Sequence, residues 1–286
     1  MAETTATDQS DPDRASDPAP AEEALADGRL LLRRDGPVAR VVFNAPERHN
    51  AMSLAMWRAL GDVAERLAGE GSVRVVALEG AGDRAFVSGA DISEFSANRT
   101  DATSAARYAD AVARAEDAIG ALPCPTLALV RGYCIGGGLA IAIRCDLRIA
   151  DDTARFAVTP GKLGLGYEYG GVAAIVDRVG PSLAADLLYT ARQIPADEAL
   201  SRGLANRVVP ASAFASETDS LIARIAGNAP LTLRAVKAAL IELARPEAQR
   251  NIARVDGLVA ACFDSADYRE GQAAFADKRR PVFRGE

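Results

Sequence analysis

Residues 131–140 read RGYCIGGGLA and place three consecutive glycines, 136–138, between two apolar runs. The run before them contains PTLALV, and the run after them is LAIAI. Each glycine weakens the interior of a helix or strand by roughly 0.5–1 kcal/mol relative to alanine. Three in a row therefore indicate that another group approaches the backbone closely at this point.

Strand patterns and helix patterns alternate on the amino-terminal side of this stretch. The runs RLLLRR and VARVVF precede a helix pattern, and the run VRVVALE precedes a glycine-rich loop and a long helix pattern. PTLALVRG and the helix opened by the glycines repeat the unit a third time. The first helix is predicted from Ser53, with an apolar stripe at Trp57, Leu60, Ala64 and Leu67. This alternation predicts an α/β fold that binds ligands at loops leaving the strand ends.

The two ends of the chain differ from its middle. Residues 1–26 contain few large apolar side chains to offset the entropy of ordering, and we predict a flexible acidic tail there. Residues 27–212 are the predicted core. From about Ala213 only helix patterns follow, which predicts a helical carboxyl-terminal segment, 213–286, too thin to bury itself. Its apolar stripe comprises Leu231, Leu233, Val236, Leu240 and Leu243.

Composition excludes several classes of function. The 286 residues carry a net charge of -6, which leaves no broad positive surface for a nucleic acid. No apolar run reaches the length of a membrane span, and the amino terminus is unlike a secretory signal. Four cysteines without a CxxC spacing and a single histidine give no basis for a metal site. We therefore expect a soluble, cytoplasmic protein without a metal, a nucleic-acid partner or a membrane anchor.

A dinucleotide-binding fingerprint is the rival interpretation of the glycine-rich loop. The run EGAGDRA follows the predicted strand VRVVALE and matches that fingerprint with alanine as its last small residue. Such a fingerprint must open a helix, whereas the following FVSGAD is β-prone and interrupted by glycine. No acidic residue lies about 20 positions further on at a strand end, so we set this interpretation aside.

Three longer stretches carry a family resemblance. AFVSGADISEF, then RGYCIGGGLAIAIRCDLRIADDTARFAVTPGKLGLGYEYGG, then FADKRRPVF resemble the crotonase superfamily, also called the enoyl-CoA hydratase/isomerase family. The likeness runs from about residue 28 to the carboxyl terminus. It implies a spiral of strand-strand-helix repeats with a helical carboxyl-terminal segment that builds trimers, often paired into hexamers. It also implies an acyl-CoA substrate, with coenzyme A as part of that substrate and no separate cofactor.

The resemblance suggests what approaches the glycines. In the family the thioester carbonyl lies between two backbone N–H groups, which here fall on Ala90 and Gly137. A glycine at the first turn of a helix offers an unpaired N–H at the positive end of the helix dipole, without a side chain to block an oxygen. One such donor to an enolate oxygen is typically worth about 2.7–4 kcal/mol. The alternative is that the glycines only permit close packing of helix and strand.

The resemblance also implies substrate contacts elsewhere. The stretch ERHNAM matches the family loop at the adenine and pantetheine, which assigns Arg48, Asn50 and Ala51. Lys278 matches a basic residue that reaches the nucleotide phosphates. Asp91 fits the N-cap of a short ISEF helix better than a catalytic acid. The other substrate contacts expected around the acyl group are Ser88, Gly89, Asp91, Ile92, Gly136, Pro160 and Tyr167.

The chain departs from the pattern of the family's hydratases at both of their glutamates. Those positions are Ala140 and Pro160 here, and neither side chain can titrate, so we expect weak or no hydratase activity. Glu168 matches the place where dienoyl-CoA isomerases and chlorobenzoyl-CoA dehalogenases carry a catalytic aspartate. It is predicted to lie at a helix start among aromatic rings, as a proton shuttle with a raised pKa. A solvated loop glutamate is the alternative.

Three functions remain open from the sequence. The first is an acyl-CoA isomerase or atypical lyase, with Ala90 and Gly137 holding the enolate and Glu168 moving a proton. The second is a decarboxylase, because TPGKLGLGY resembles a loop of methylmalonyl-CoA decarboxylases and loss of carbon dioxide needs no general base. Tyr167 would then contact the substrate. The third is an acyl-CoA-binding scaffold without catalysis.

Overall fold

Two β-sheets carry the framework of the computed structural model, which describes residues 21–94 and 102–286. The larger sheet has seven strands, in the spatial order β1 (Ala21–Leu25), β2 (Leu30–Asp35), β3 (Val38–Phe43), β4 (Val75–Gly80), β6 (Thr126–Val130), β8 (Leu147–Asp151) and β11 (Arg207–Val209). The smaller sheet has the order β10 (Ile194–Pro195), β9 (Arg155–Ala157), β7 (Tyr133–Ile135) and β5 (Ala85–Val87). Strands β3, β4, β6, β8 and β11 run parallel, as do β5, β7 and β9.

Helices cover the sheets and form the carboxyl-terminal part. They are α1 (Leu54–Ala68), α2 (Ala102–Gly120), α3 (Gly137–Arg144), α4 (Tyr169–Thr190), α5 (Ala196–Ser201), α6 (Phe214–Ala226), α7 (Pro230–Leu243), α8 (Ile252–Asp264) and α9 (Ala266–Ala276). The predicted α/β fold with carboxyl-terminal helices is confirmed. None of the helices in the described ranges combines the length and the apolar character that a bilayer crossing requires.

The first strand corrects one predicted boundary. Ala21–Leu25 pairs antiparallel with β2, although we placed the end of the flexible tail at residue 26. The strand obtains its hydrogen bonds from the free edge of β2, so it needs few apolar side chains. Glu22 forms an ion pair with Arg33 at 2.6 Å. Residues 1–20 of the predicted tail lie outside the described residues.

Helix α1 forms as its sequence predicts. The hydroxyl of Ser53 accepts a hydrogen bond from the Met56 N–H and caps the helix. The predicted stripe is buried at Trp57, Leu60, Ala64 and Leu67. Trp57 donates from its indole N–H to the hydroxyl of Tyr108 on α2, 3.0 Å away. The stripe therefore joins α1 and α2 into one layer over the sheets.

The carboxyl-terminal segment packs on one face of the larger sheet and also contacts the amino ends of β4 and β8. Helix α6 buries Phe214 and Leu221 against the larger sheet. The ammonium of Lys237 on α7 pairs with Asp146, just before β8, at 2.6 Å. The guanidinium of Arg74, just before β4, donates to the Phe283 carbonyl oxygen at 2.7 Å. Helix α6 crosses this face, because its first residue, Phe214, contacts the guanidinium of Arg131 just after β6, 5.5 Å from the ring centre, and its last residue, Ala226, accepts from Arg74 before β4.

The carboxyl-terminal helices leave an apolar face uncovered. Val236, Leu240 and Leu243 of the predicted stripe are exposed, the last at 64%. They adjoin a groove of about 740 Å³, whose lining includes Leu231, Val259, Phe263, Tyr268 and Phe275. Contiguous exposed apolar surface of this kind usually marks a contact with another chain.

We predict a trimer or a dimer of trimers in solution, because the uncovered face of α7 and α8 needs a partner surface. Light scattering coupled to size exclusion should give a mass of at least three chains. Leu240→Glu should shift the population toward smaller species, whereas Gln249→Glu, on an exposed residue of the turn after α7, serves as the control. A monodisperse monomer at micromolar concentration would contradict the prediction.

Candidate active site

Two loops meet where parallel strands β5 and β7 end. We call residues 88–91 and 136–138 the two glycine loops. Because β5 and β7 pair in parallel, both loops leave the same edge of the smaller sheet. Gly89 has φ +118° and Gly136 has φ +54°, values that suit glycine. A Cβ atom on Gly136 would lie 3.9 Å from the Gly89 Cα, so the two loops touch.

Each loop presents one backbone N–H without a protein acceptor among the described residues. Met52 donates to the Gly89 carbonyl and accepts from the Asp91 N–H, which turns the Ala90 N–H away from this pairing. Gly137 is the first residue of α3, where the helix itself supplies no acceptor. Two donors on touching loops are suited to bind one oxygen atom from two sides.

Close packing accounts for part of the glycine triplet. A Cβ on Gly138 would overlap the carbonyl oxygen of Val87 in β5. A Cβ on Gly137 would lie 2.9 Å from the Cζ2 atom of Trp57. The packing explanation therefore holds for Gly138. At Gly137 the same absence of a side chain also leaves the N–H open.

Asn50 corrects a predicted substrate contact. Its side chain is completely buried, and its Oδ1 accepts from the Ala45 N–H at 3.0 Å. Its amide donates to the carbonyl oxygens of Ala81 and Ala85 at 3.1 and 2.7 Å. Because the amide is fully engaged with the backbone, Asn50 holds the loop before α1 against β5 and presents no polar atom to a ligand.

Arg48 and Asp91 pair at the mouth of the first glycine loop. The Arg48 guanidinium donates to the Asp91 carboxylate at 2.8 Å, and Asp91 also accepts from the Ser93 N–H at 3.1 Å. The predicted capping role of Asp91 is thus confirmed. Burial alone would raise the pKa of Asp91, but hydrogen bonds from Ser93 and Arg48 outweigh it and lower that pKa. The carboxylate stays ionised and is a poor proton donor.

The other predicted contacts lie around the loops, with one exception. Ala51, Ser88 and Pro160 are half-buried, and Ile92 is exposed. Lys278 lies beyond α9, on the segment whose Phe283 accepts a hydrogen bond from Arg74 before β4. Its side chain is exposed and forms no ion pair within the described ranges. The structure therefore does not bring Lys278 together with the glycine loops of its own chain.

Glu168 lies at a helix start, as predicted, but it is not enclosed. It occupies the N-cap position of α4, and its side chain is exposed rather than surrounded by aromatic rings. Neighbouring Tyr167 is half-buried against Gly171. Burial, with a further contribution from the charge of Glu116, raises the pKa of Tyr167 to about 12. The phenol is therefore neutral at ordinary pH.

Two charged residues beside this site escaped the sequence analysis. Glu116 of α2 is only 8% exposed, and its carboxylate accepts from the Arg144 guanidinium of α3 at 3.2 and 3.3 Å. Burial raises the pKa of Glu116 despite the opposing charge of Arg144. In the sequence ARAEDAIG this glutamate looks like one residue of a solvated helix face. Its nearness to Arg144 depends on how α2 packs against α3.

Comparison with known proteins places the chain in a family. A sequence profile for enoyl-CoA hydratase/isomerase matches residues 33–286. The chain belongs to the enoyl-CoA hydratase/isomerase family. A short-chain-enoyl-CoA hydratase of Clostridium acetobutylicum is 32% identical over 251 residues, which cover 88% of this chain and 95% of that protein. A crotonyl-CoA hydratase of Syntrophomonas wolfei is 32% identical over 259 residues, or 91% of this chain and 99% of that protein.

Solved structures agree with this membership. A crystal structure described as an enoyl-CoA hydratase/carnithine racemase from Magnetospirillum magneticum has a TM-score of 0.86 and 39% sequence identity. The match covers 90% of this chain and 96% of that one. As a member of the enoyl-CoA hydratase/isomerase family, the chain is an acyl-CoA-processing enzyme.

Asn50→Ala should lower the free energy of unfolding by at least about 1–3 kcal/mol, because it leaves buried backbone groups without partners. Chemical denaturation followed by circular dichroism measures the change. Glu47→Ala, an exposed substitution on the same turn, should stay within about 0.5 kcal/mol of the natural protein. An equal effect of the two substitutions would remove the structural role given to Asn50.

Gly137→Pro should lower kcat about 10²- to 10³-fold relative to Gly137→Ala, because only proline removes the N–H. Both variants place a Cβ against Trp57, so the alanine variant controls for the packing defect. Steady-state kinetics on an acyl-CoA that the natural protein converts gives the ratio. Equal kcat values in two folded variants would rule out a role for this N–H.

Proposed function

We propose that this enzyme stabilises the enolate of an acyl-CoA thioester and carries out isomerase or atypical lyase chemistry. The observation that carries the proposal is the pair of open N–H groups, on Ala90 and Gly137, at two touching loops. When an acyl-CoA loses its α proton or a carboxylate, negative charge collects on the thioester oxygen. Two preorganised donors stabilise that charge more than they stabilise the neutral carbonyl.

Glu168 is the proposed proton-transfer group. It lies at the N-cap of α4, next to half-buried Tyr167, and its carboxylate makes no capping bond to the helix. Its exposure without a ligand is compatible with desolvation by an acyl group that covers it. Such desolvation raises the pKa of a carboxyl group toward the working pH, which suits a group that both accepts and donates a proton.

Hydration is not the proposed reaction, although relatives are named as hydratases. A hydratase needs two groups that act on water, and the positions expected to supply them are Ala140 and Pro160. Ala140 is buried on α3, and Pro160 begins a short 3-10 turn, Pro160–Lys162.

We propose that coenzyme A binds near Arg48 and Ser88, as part of the substrate.

Decarboxylation is the second candidate, and the exposure of Glu168 favours it. Loss of carbon dioxide creates the same enolate without a general base, so the two N–H groups would suffice. Tyr167 would then contact the departing carboxylate as a neutral hydrogen-bond donor. Incubation with a panel of acyl-CoAs and mass spectrometry separates the candidates. Migration of a double bond without a mass change, loss of carbon dioxide, and binding without turnover are the three outcomes.

Glu168→Gln should lower kcat about 10²- to 10⁴-fold with nearly unchanged KM, because glutamine keeps the shape but cannot exchange a proton. The measurement uses an acyl-CoA that the natural protein isomerises. Asp177→Asn, farther along α4, is the matched control. If the glutamine variant keeps most of the natural rate, proton transfer belongs to another group, and decarboxylation becomes the leading proposal.

A further inference from the structure

The open N–H of Gly137 and the charged side chain of Arg144 belong to the same face of α3. Gly137, Ala140 and Arg144 follow at spacings of three and four residues, so they lie on the same face of the helix. At a rise of about 1.5 Å per residue, the face extends roughly 10 Å from Gly137 to Arg144. A helical side chain leans toward the preceding turn, so the Arg144 guanidinium lies over the turn of Ala140.

Glu116 reaches this face from the neighbouring helix. Its Oε2 accepts from Nε and Nη2 of Arg144 at 3.3 and 3.2 Å. Ala140 carries only a methyl group, one turn before Arg144 on this face. Glu116, bound to Arg144, therefore brings a carboxylate to the helix face on which position 140 has none.

The surroundings of Glu116 differ from those of an ordinary structural ion pair. The carboxylate is nearly excluded from water, its charge interacts with those of Arg144 and Glu168, and it disfavours ionisation of Tyr167. Burial raises the pKa of Glu116, Arg144 opposes this, and the charges of Asp117 and Glu168 reinforce it. Burial therefore favours the protonated form of this carboxyl group more than it does for a surface glutamate.

We propose that Glu116 is a second proton-transfer residue of the acyl site, held in place by Arg144, and that it works with Glu168 from a different helix. This inference rests on the proposed function, since it concerns the same enolate. Arg144 is a positioning residue, because it acts through the carboxylate that it binds. The two acids of the site then come from α2 and the start of α4, rather than from positions 140 and 160.

The proposed reaction moves the double bond of a 3-enoyl thioester into conjugation with the thioester carbonyl. Glu168, as a carboxylate, takes the α proton of a 3-enoyl thioester. The C–H electron pair passes into the dienolate, whose oxygen is held by the N–H groups of Ala90 and Gly137. Glu116, as a carboxylic acid, delivers a proton to the γ carbon, and the electrons return to form the conjugated double bond. Exposed Glu168 releases its proton to water, and Glu116 regains one from water.

Vinylacetyl-CoA in deuterium oxide separates the two carboxyl groups. Its α protons exchange for deuterium when Glu168 and the two N–H groups form the dienolate, whether or not γ protonation follows. Isomerisation to crotonyl-CoA additionally requires the proton donor at the γ carbon. Mass spectrometry of recovered substrate measures exchange, and the absorbance of the conjugated product measures isomerisation.

Glu116→Gln should slow isomerisation about 10²- to 10⁴-fold and leave α exchange within a few-fold of the natural rate. Retained exchange shows that the site is folded, because glutamine can still accept from Arg144. The matched control is Asp117→Asn, the adjacent residue, whose side chain is 75% exposed at 3.9 Å from Arg144. It should change neither rate.

Each other outcome decides against the proposal. Equal loss of both rates in Glu116→Gln would mean a structural ion pair, and an unchanged isomerisation rate would remove Glu116 from the reaction. Natural protein that exchanges α protons but forms no crotonyl-CoA would overturn the role of Glu116 and leave the enolate site intact. Natural protein that does neither would overturn the proposed function itself, together with this inference.

Discussion

The close approach of α3 to β5 is the constraint on which the site depends. Gly138 lies so near Val87 that no side chain fits between them, and at this contact the loop of Gly136 touches the loop of Gly89. Parallel pairing of β5 and β7 then directs both glycine loops to the same edge of the sheet. The chemistry therefore depends on the packing, because the two N–H groups converge only where a helix can touch a strand. Asn50 also stabilises this arrangement, because its side chain binds three backbone groups.

The glycine loops and the uncovered apolar face belong to different parts of the framework. The glycine loops leave the smaller sheet, whereas the carboxyl-terminal helices pack on the larger sheet and bind it through Lys237 and Arg74. The apolar face of α7 lies on this second region. Lys278 lies on the carboxyl-terminal segment, and within the described ranges it forms no ion pair with the glycine loops of its own chain.

Local patterns made the fold and the glycine loops predictable, while pairings between distant segments stayed hidden. The start of α1 at Ser53 and its apolar stripe follow from helix periodicity. The glycine triplet identified the start of α3, where the site lies. The strand Ala21–Leu25 escaped because its stability comes from the edge of β2 rather than from its own side chains. Glu116 and Arg144 escaped because 28 positions separate them in sequence. Asn50 was assigned to a ligand because ERHNAM matches a substrate-binding loop of the family, and the match does not show which side chains of the loop are buried.

The link between Arg74 and Phe283 gives the chain an order of events during its synthesis. These residues are 209 positions apart. The strands that contain the glycine loops leave the ribosome long before this hydrogen bond can form. The sheet can therefore collapse first, whereas the carboxyl-terminal helices complete their contact with it only once Phe283 has been synthesised. During that interval the face of α6 that later packs on the larger sheet, with Phe214 and Leu221, is accessible to chaperones.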